Sequence, residues 1–335
     1  MGSKFFFSLD SIKPQKSSGG GSCTIVTSDE VPGFVNISFA ALKLNKGGSL
    51  EPIWHPNANK IGYCLQGKAL VSIRGAGGND VFTVKEGDVF FIPLGSIHHI
   101  ENIDDKETSI NFAFDNTKPQ IMQLGKAIHS LSDSVFAATF NTPSNFFDGL
   151  KKSKDSELIK TLLPSKESPQ CISSRFKFNI KSSVKAINTK GGYLQLATKT
   201  NLPILEGLGI LGFGLSPRGG TVEPHWHTNA GELVYIVSGR TRITVLGPDG
   251  NADVLEVNAG QGAFAPASYF HNIENVGDEY VDVIAYFSNA NPDYVGIGEV
   301  VGSYSNEVLA SAFNLSPNYF DTFKKPSGPL VIVPV

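Results

Sequence analysis

His225 and His227 stand two residues apart, Glu232 follows five residues later, and His271 lies further along in a proline- and asparagine-marked stretch. On a β-strand alternate side chains share a face, so His225 and His227 point the same way. Residues 228–231 supply turn chemistry, and Glu232 opens the next β-prone run at 233–237. Two imidazoles and a carboxylate brought together this way, with His271 as a fourth donor, make a borderline site for Mn, Fe, Zn or Ni. Glu223 precedes His225 by two and shares its face by the same parity. It is therefore a candidate acid/base, or equally a partner that orients a ligand.

The elements that must position these residues are duplicated. Residues 51–67 match 223–239 at an offset of 172, and residues 87–102 match 260–275 at an offset of 173. In the second pair Pro93 answers Pro266, His98 answers His271 and Asn102 answers Asn275. The match continues through Phe140-Asn141 with Phe313-Asn314, and Phe147-Asp148 with Phe320-Asp321. Two domains follow, 1–165 and 166–335, the boundary region running over 155–185. In the second repeat, 192–198, 207–216, 225–237, 240–246, 252–257, 262–266, 271–275 and 280–288 read as β-structure, with Gly247-Pro248-Asp249-Gly250 as a strong turn. Short, regularly punctuated strands predict an all-β protein of two jelly-roll barrels in tandem. Helical tails are expected over 118–131 and 144–161, and again over 305–312 and 317–325, Thr142-Pro143 and Ser316-Pro317 reading as helix starts.

Composition excludes several classes. Of 335 residues, 28 are Lys or Arg and 31 Asp or Glu, for a net charge of -3, which argues for neither nucleic acid nor an anionic membrane as partner. The Lys-rich stretch 151–166 reads as a solvated helix face. The 35 glycines suit a turn-rich β protein. Cys23, Cys64 and Cys171 are odd in number and widely spaced, which indicates neither a disulfide framework nor a cysteine zinc site. The opening residues are too short an apolar run for a secretory signal, and no run reaches membrane-spanning length, so a cytoplasmic location is the expectation. Phe5, Phe6 and Phe7 read as packing residues that brace an N-terminal arm against the other barrel.

The paired motifs resemble the cupin superfamily. Gly219, His225, His227, Glu232 and Gly239 fit the first motif of that family, while Gly260, Pro266, His271 and Asn275 fit the second, with Ser268 where the family has glycine. In the first repeat Gly87, Pro93, Gly95, His98 and Asn102 fit the second motif throughout. The layout of two barrels with helical tails, and the phrase 224–230, are similar to the oxalate decarboxylase group of bicupins. That resemblance implies one divalent metal, manganese first, with Fe, Ni or Zn as alternatives, held by His225, His227, Glu232 and His271. It also implies a small carboxylate as substrate.

Departures from the group are as informative. In the first repeat Ile53 stands where His225 stands in the second, and Lys60 where Glu232 stands, while His55 and His98 remain. An ammonium in place of a carboxylate opposes cation binding, so the first pocket is expected to hold no metal. Cys64 shares the strand parity of Lys60 and is either a minor candidate ligand or a buried structural thiol. His99 and His129 are not expected to be catalytic. In the second repeat Val222 stands where the decarboxylase group carries arginine, and the loop 288–294 offers only Asp293 as an acid. Three functions therefore stay open: a metalloenzyme that decarboxylates or oxidises a small acid, a storage, binding or sensing bicupin with one metal site, and a structural subunit. A homo-oligomer is expected, and the structural-subunit reading in particular implies trimers or dimers of trimers, that is hexamers.

Overall fold

The computed structural model describes residues 3–75, 78–151, 157–162, 173–326 and 328–334. Cys171, the expected boundary at 165/166 and most of the Lys-rich stretch lie outside them. Each repeat folds into two antiparallel sheets that face one another, the double-sheet solution that alternating, glycine-punctuated strands favour. In the second barrel one sheet runs through Gln261–Ala265, Glu232–Ser238, Val281–Phe287, Gly209–Leu215 and Gly192–Ala197, and the other through Ala252–Asn258, Arg240–Leu246, Phe270–Asn275 and Thr221–Trp226. The first barrel repeats this order with Asp88–Ile92, Lys60–Gln66, Thr108–Phe114, Ser38–Leu44 and Gly21–Val26 against Gly78–Lys85, Lys68–Gly75, Ile97–Asn102 and Gly48–Trp54.

The motif residues outside the pocket have structural work. Asn102 Nδ2 donates to the carbonyls of Leu44, Asn45 and Lys106, and Asn275 Nδ2 donates likewise to Leu215, Ser216 and Glu279. Each asparagine thereby ties the end of one sheet to a turn of the other. Gly95 adopts φ 73° and donates its N–H to the His55 carbonyl. Ser268 holds the same left-handed geometry at φ 64° and donates to the His227 carbonyl. The turn is conserved in shape without its glycine, at the strain cost of a side chain at positive φ.

The barrels exchange strands. Phe6–Ser8 pairs with residues 261–263 of the second barrel, and Lys177–Asn179 pairs with residues 88–90 of the first. Phe5 and Phe176 occupy equivalent places, their carbonyls accepting from Phe264 and Phe91 at 2.8 and 2.9 Å. Phe5 and Phe7 are buried, and Phe7 packs on Phe34 and Phe39 between the barrels. Burying two such rings is worth about 1.5–3 kcal/mol each, so the arm braces the other barrel as its sequence suggested. Phe39 also stacks on Tyr235 at 5.3 Å, joining the barrels across one apolar cluster.

The tails differ from expectation in detail. The helices are Leu124–Ser130, Asp133–Phe140 and Asp148–Lys151 in the first, and Ile297–Ser303 and Asn306–Phe313 in the second. Ser132 and Ser305 cap Asp133–Phe140 and Asn306–Phe313, and Asn141 and Asn314 end those helices in the left-handed conformation. The start at Thr142-Pro143 gives the 3-10 turn Ser144–Phe147, which runs straight into helix Asp148–Lys151, whereas that at Ser316-Pro317 gives only the 3-10 turn Pro317–Phe320. Instead of continuing as helix, the chain returns as short strands, Ile159–Thr161 and Ile332–Val333, which pair with the strands that carry Glu51 and Glu223. No helix among the described residues is long and apolar enough to cross a membrane.

Candidate metal centre

The four residues singled out in the second repeat converge. Ligand atoms of His225, His227, Glu232 and His271 lie within 4.8 Å of one another, and all four residues are buried. His225 closes the strand Thr221–Trp226 with His227 just beyond its end, Glu232 opens Glu232–Ser238, and His271 lies on Phe270–Asn275 directly opposite His225. The register shift between Val222 and His225 turns the strand so that its last residues face inward.

Hydrogen bonding fixes how the rings present themselves. His225 Nδ1 donates to the Glu223 carbonyl at 2.8 Å, His271 Nδ1 to the Tyr269 carbonyl at 2.8 Å, and His227 Nδ1 to the Asp293 carbonyl. A carbonyl only accepts, so each Nδ1 carries a proton and each ring directs its Nε2 at the centre. Glu232 Oε2 lies 2.9 Å from His271 Nε2, 3.0 Å from His227 Nε2 and 3.6 Å from His225 Nε2.

Electrostatics agrees with that arrangement. Burial works to raise the Glu232 carboxyl, but its bonds to the three imidazoles outweigh burial and hold it well below the usual carboxylate range. Burial, with the His271 imidazole alongside, pushes His225 down to about 4. Burial also opposes a charge on His227, and there the Glu232 carboxylate wins and raises the ring. The ionised Glu232 carboxylate and the neutral His225 ring are in the deprotonated form that a divalent cation requires, and a bound cation would displace the proton that Glu232 favours on His227.

Around this cluster the structure adds residues that sequence reading missed. Tyr294 stacks on His225 with ring centroids 4.6 Å apart. Burial and the Glu223 carboxylate keep its phenol well above the usual range, and therefore protonated. Phe287 packs edge-on against His227 at 5.0 Å, and Val331 and Ile332 from the C-terminal strand close the pocket. The repeat held a signal for Tyr294: its counterpart in the first half is Ile121, so tyrosine appears where the donor set is intact.

Glu223 does not face the cluster as a free acid. Oε1 accepts from Leu330 N at 2.7 Å and Val331 N at 2.9 Å, and Oε2 accepts from Gly298 N at 3.1 Å. Both oxygens thus hold backbone that covers the pocket. Asp293 is similarly engaged, its carboxylate taking the Thr228 N–H at 2.7 Å and the Thr228 hydroxyl.

The first barrel brings the corresponding positions together with different chemistry. Lys60 is buried, its Nζ 3.3 Å from His98 Nε2 and 3.9 Å from the centre of the Phe112 ring. Burial lowers Lys60 to about 7 and His55 to about 3. His55 Nδ1 donates to the Gln120 carbonyl, and its buried Nε2 has no hydrogen-bond partner. Ile53 is buried beside them. Cys64 lies elsewhere along its strand, Sγ directed at the carbonyls of Gln66 and Gly67, and burial pushes its thiol up to about 12, as befits a structural residue. His99 Nε2 meets the Ser49 hydroxyl and His129 Nδ1 the Gly125 carbonyl, both away from either pocket.

Known proteins carry the same architecture. Oxalate decarboxylase OxdC of Bacillus subtilis is 25% identical over 339 residues, spanning 98% of this chain and 86% of that protein. An oxalate decarboxylase of Arthroderma benhamiae is 26% identical over 355 residues, spanning 96% and 82%. A solved structure of the B. subtilis enzyme, from work on its Mn(II) centres, superposes with a TM-score of 0.87 at 24% identity, covering 100% of this chain and 90% of that one, which shows a shared fold. The family model described as Cupin matches twice, over residues 7–146 and 178–320, and together with the duplicated barrels this establishes that the chain belongs to the cupin family, as a bicupin.

Proposed function

We propose that this chain is a bicupin metalloenzyme that holds one divalent ion, manganese first, with His225, His227, Glu232 and His271. It acts on a small carboxylic acid by decarboxylation or oxidation, in the manner of an oxalate decarboxylase or oxidase. The observation that carries the reading is the convergence of three Nε2 atoms on one Glu232 oxygen, each ring pinned through Nδ1 by a backbone carbonyl. When bound, the ion supplies a Lewis acid that polarises a carboxylate oxygen. The chain's own residues orient and exclude: Tyr294 fixes the His225 ring, Phe287 backs His227, and Val331 and Ile332 keep water from the donors. Burial and the neighbouring Glu223 carboxylate keep the Tyr294 phenol protonated. Glu223 is a positioning residue that fastens the C-terminal strand over the pocket.

Support also comes from the relatives named oxalate decarboxylase along nearly the whole chain, and from the Mn(II) centres of the Bacillus protein. The test is elemental analysis followed by turnover with small acids, using protein loaded with manganese or iron. Close to one ion per chain and consumption of an acid are expected. No metal uptake overturns the reading, whereas ligands that raise the melting temperature without product formation mark a binding bicupin. A cytoplasmic homo-oligomer belongs to the same proposal. Exposed Phe140, Phe146, Phe313 and Tyr319 on the tails give it an apolar contact surface, and measured mass in solution tests it.

A further inference from the structure

Two cavities lead to the donor cluster. The inner one, about 40 Å³, lies against His225, His227 and Glu232, with Phe213, Val222, Phe287, Tyr294, Val331 and Ile332 among its walls. The outer one, about 370 Å³, shares Leu194, Leu211, His227, Tyr294 and Val331 with it, so the two form one path. Leu196, Pro292 and Pro329 extend the apolar wall outward, while Thr198, Thr200, Asn291 and Asp293 line the polar side of the mouth. Neither wall contains a Lys or Arg among the described residues. The acid nearest the mouth, Asp293, repels anions and is already bonded to Thr228.

Past the mouth, an acid entering this path meets the donor cluster as the place for its carboxylate among the described residues. A second carboxylate reaching past the cluster would lie among the apolar walls of the inner cavity with no cationic partner among the described residues, which is disfavoured, and oxalate, with both carboxylates at the head, gains nothing from those walls. A hydrocarbon tail in the same place gains by leaving water. The space beyond the cluster is several times the volume that the head needs.

We propose that the substrate of this site is a monocarboxylic acid with a short apolar tail, its head at the donor cluster and its tail along Leu194, Leu211 and Val331, and that oxalate is a poor ligand. This inference rests on the metal reading above. The test is calorimetric titration of manganese-loaded protein, free of excess metal, with acetate, butanoate, hexanoate and oxalate, with metal content measured after each titration. Affinity is expected to rise about threefold to fourfold per methylene up to hexanoate, the factor for burying a CH₂, and hexanoate is expected to bind at least tenfold more tightly than oxalate. A second arm uses Leu194→Arg, on a half-buried wall position, which should weaken hexanoate and strengthen oxalate while leaving metal content unchanged. A flat chain-length series, or oxalate binding more tightly than hexanoate to the unaltered protein, overturns the inference and leaves the metal reading standing. Protein that takes up no metal overturns both.

Discussion

The two barrels are built to one plan, yet their pockets reach opposite electrostatic solutions. In the second, an anionic Glu232 sits among three imidazoles whose Nε2 atoms converge on it. In the first, Lys60 occupies the Glu232 position, Ile53 replaces one imidazole, and the Nζ packs against His98 and Phe112. Backbone shape is indifferent to this exchange, since the equivalent turns, the Asn102 and Asn275 latches and the strand pairings persist in both. Two exchanges on a fixed scaffold thus separate a convergent His/Glu donor set from a pocket that supplies its own basic nitrogen.

The largest expected effect comes from making the second pocket resemble the first. Glu232→Lys should lower metal affinity on the order of 10³-fold or more, because an ammonium removes a ligand and adds like charge. Elemental analysis would find metal falling from close to one ion per chain to almost none. The reverse exchange sharpens the same point: Ile53→His with Lys60→Glu should raise stoichiometry toward two, and a value that stays near one would show that the first barrel lacks more than ligands.

Lys60 also carries a pH signature. Its folded pKa lies near 7, against 10.5 when unperturbed. Below pH 7 both folded and unfolded chains carry the charge, and the fold bears the whole cost of burying it. Between pH 7 and about 10.5 the unfolded chain binds the extra proton, so this group's penalty shrinks as pH rises. Lys60→Met should therefore stabilise the protein by roughly 1–4 kcal/mol at pH 6, with the gain shrinking toward pH 10. Melting curves at several pH values would show it, and a gain independent of pH would refute a buried charge. Smaller still, Glu223→Gln should cost about 1–3 kcal/mol of stability by weakening the bonds to Leu330, Val331 and Gly298. Metal content and the shape of the pH–rate profile should hold, whereas loss of one limb of that profile would make Glu223 an acid/base after all.

The donor positions were legible because strand parity and the His-x-His spacing place side chains without reference to distant chain. Strand limits near Arg240–Leu246 and Ala252–Asn258 were readable for the same reason, the turn between them announcing itself in glycine and proline. Helix Ile297–Ser303 was not, since its isoleucine, paired valines and glycines favour strand or turn, and packing over the barrel mouth overrides that preference. The helix expected over 144–161 was too long because its last residues, Ile159–Thr161, pair with a motif strand instead.

What the chain by itself determined is local and repeated: the duplication, the alternating faces, the turn residues and the identity of the four donors and their degenerate partners. Tertiary structure alone decided which remote segments meet there. Tyr294 reaches His225 from a loop, and Leu330 to Ile332 roof the pocket from the far end of the sequence. Phe6–Ser8 completes a sheet whose partner lies more than two hundred residues away. Short-range periodicity governs where a side chain points, whereas the choice among distant neighbours is settled by burial and by the need of every buried backbone group for a partner.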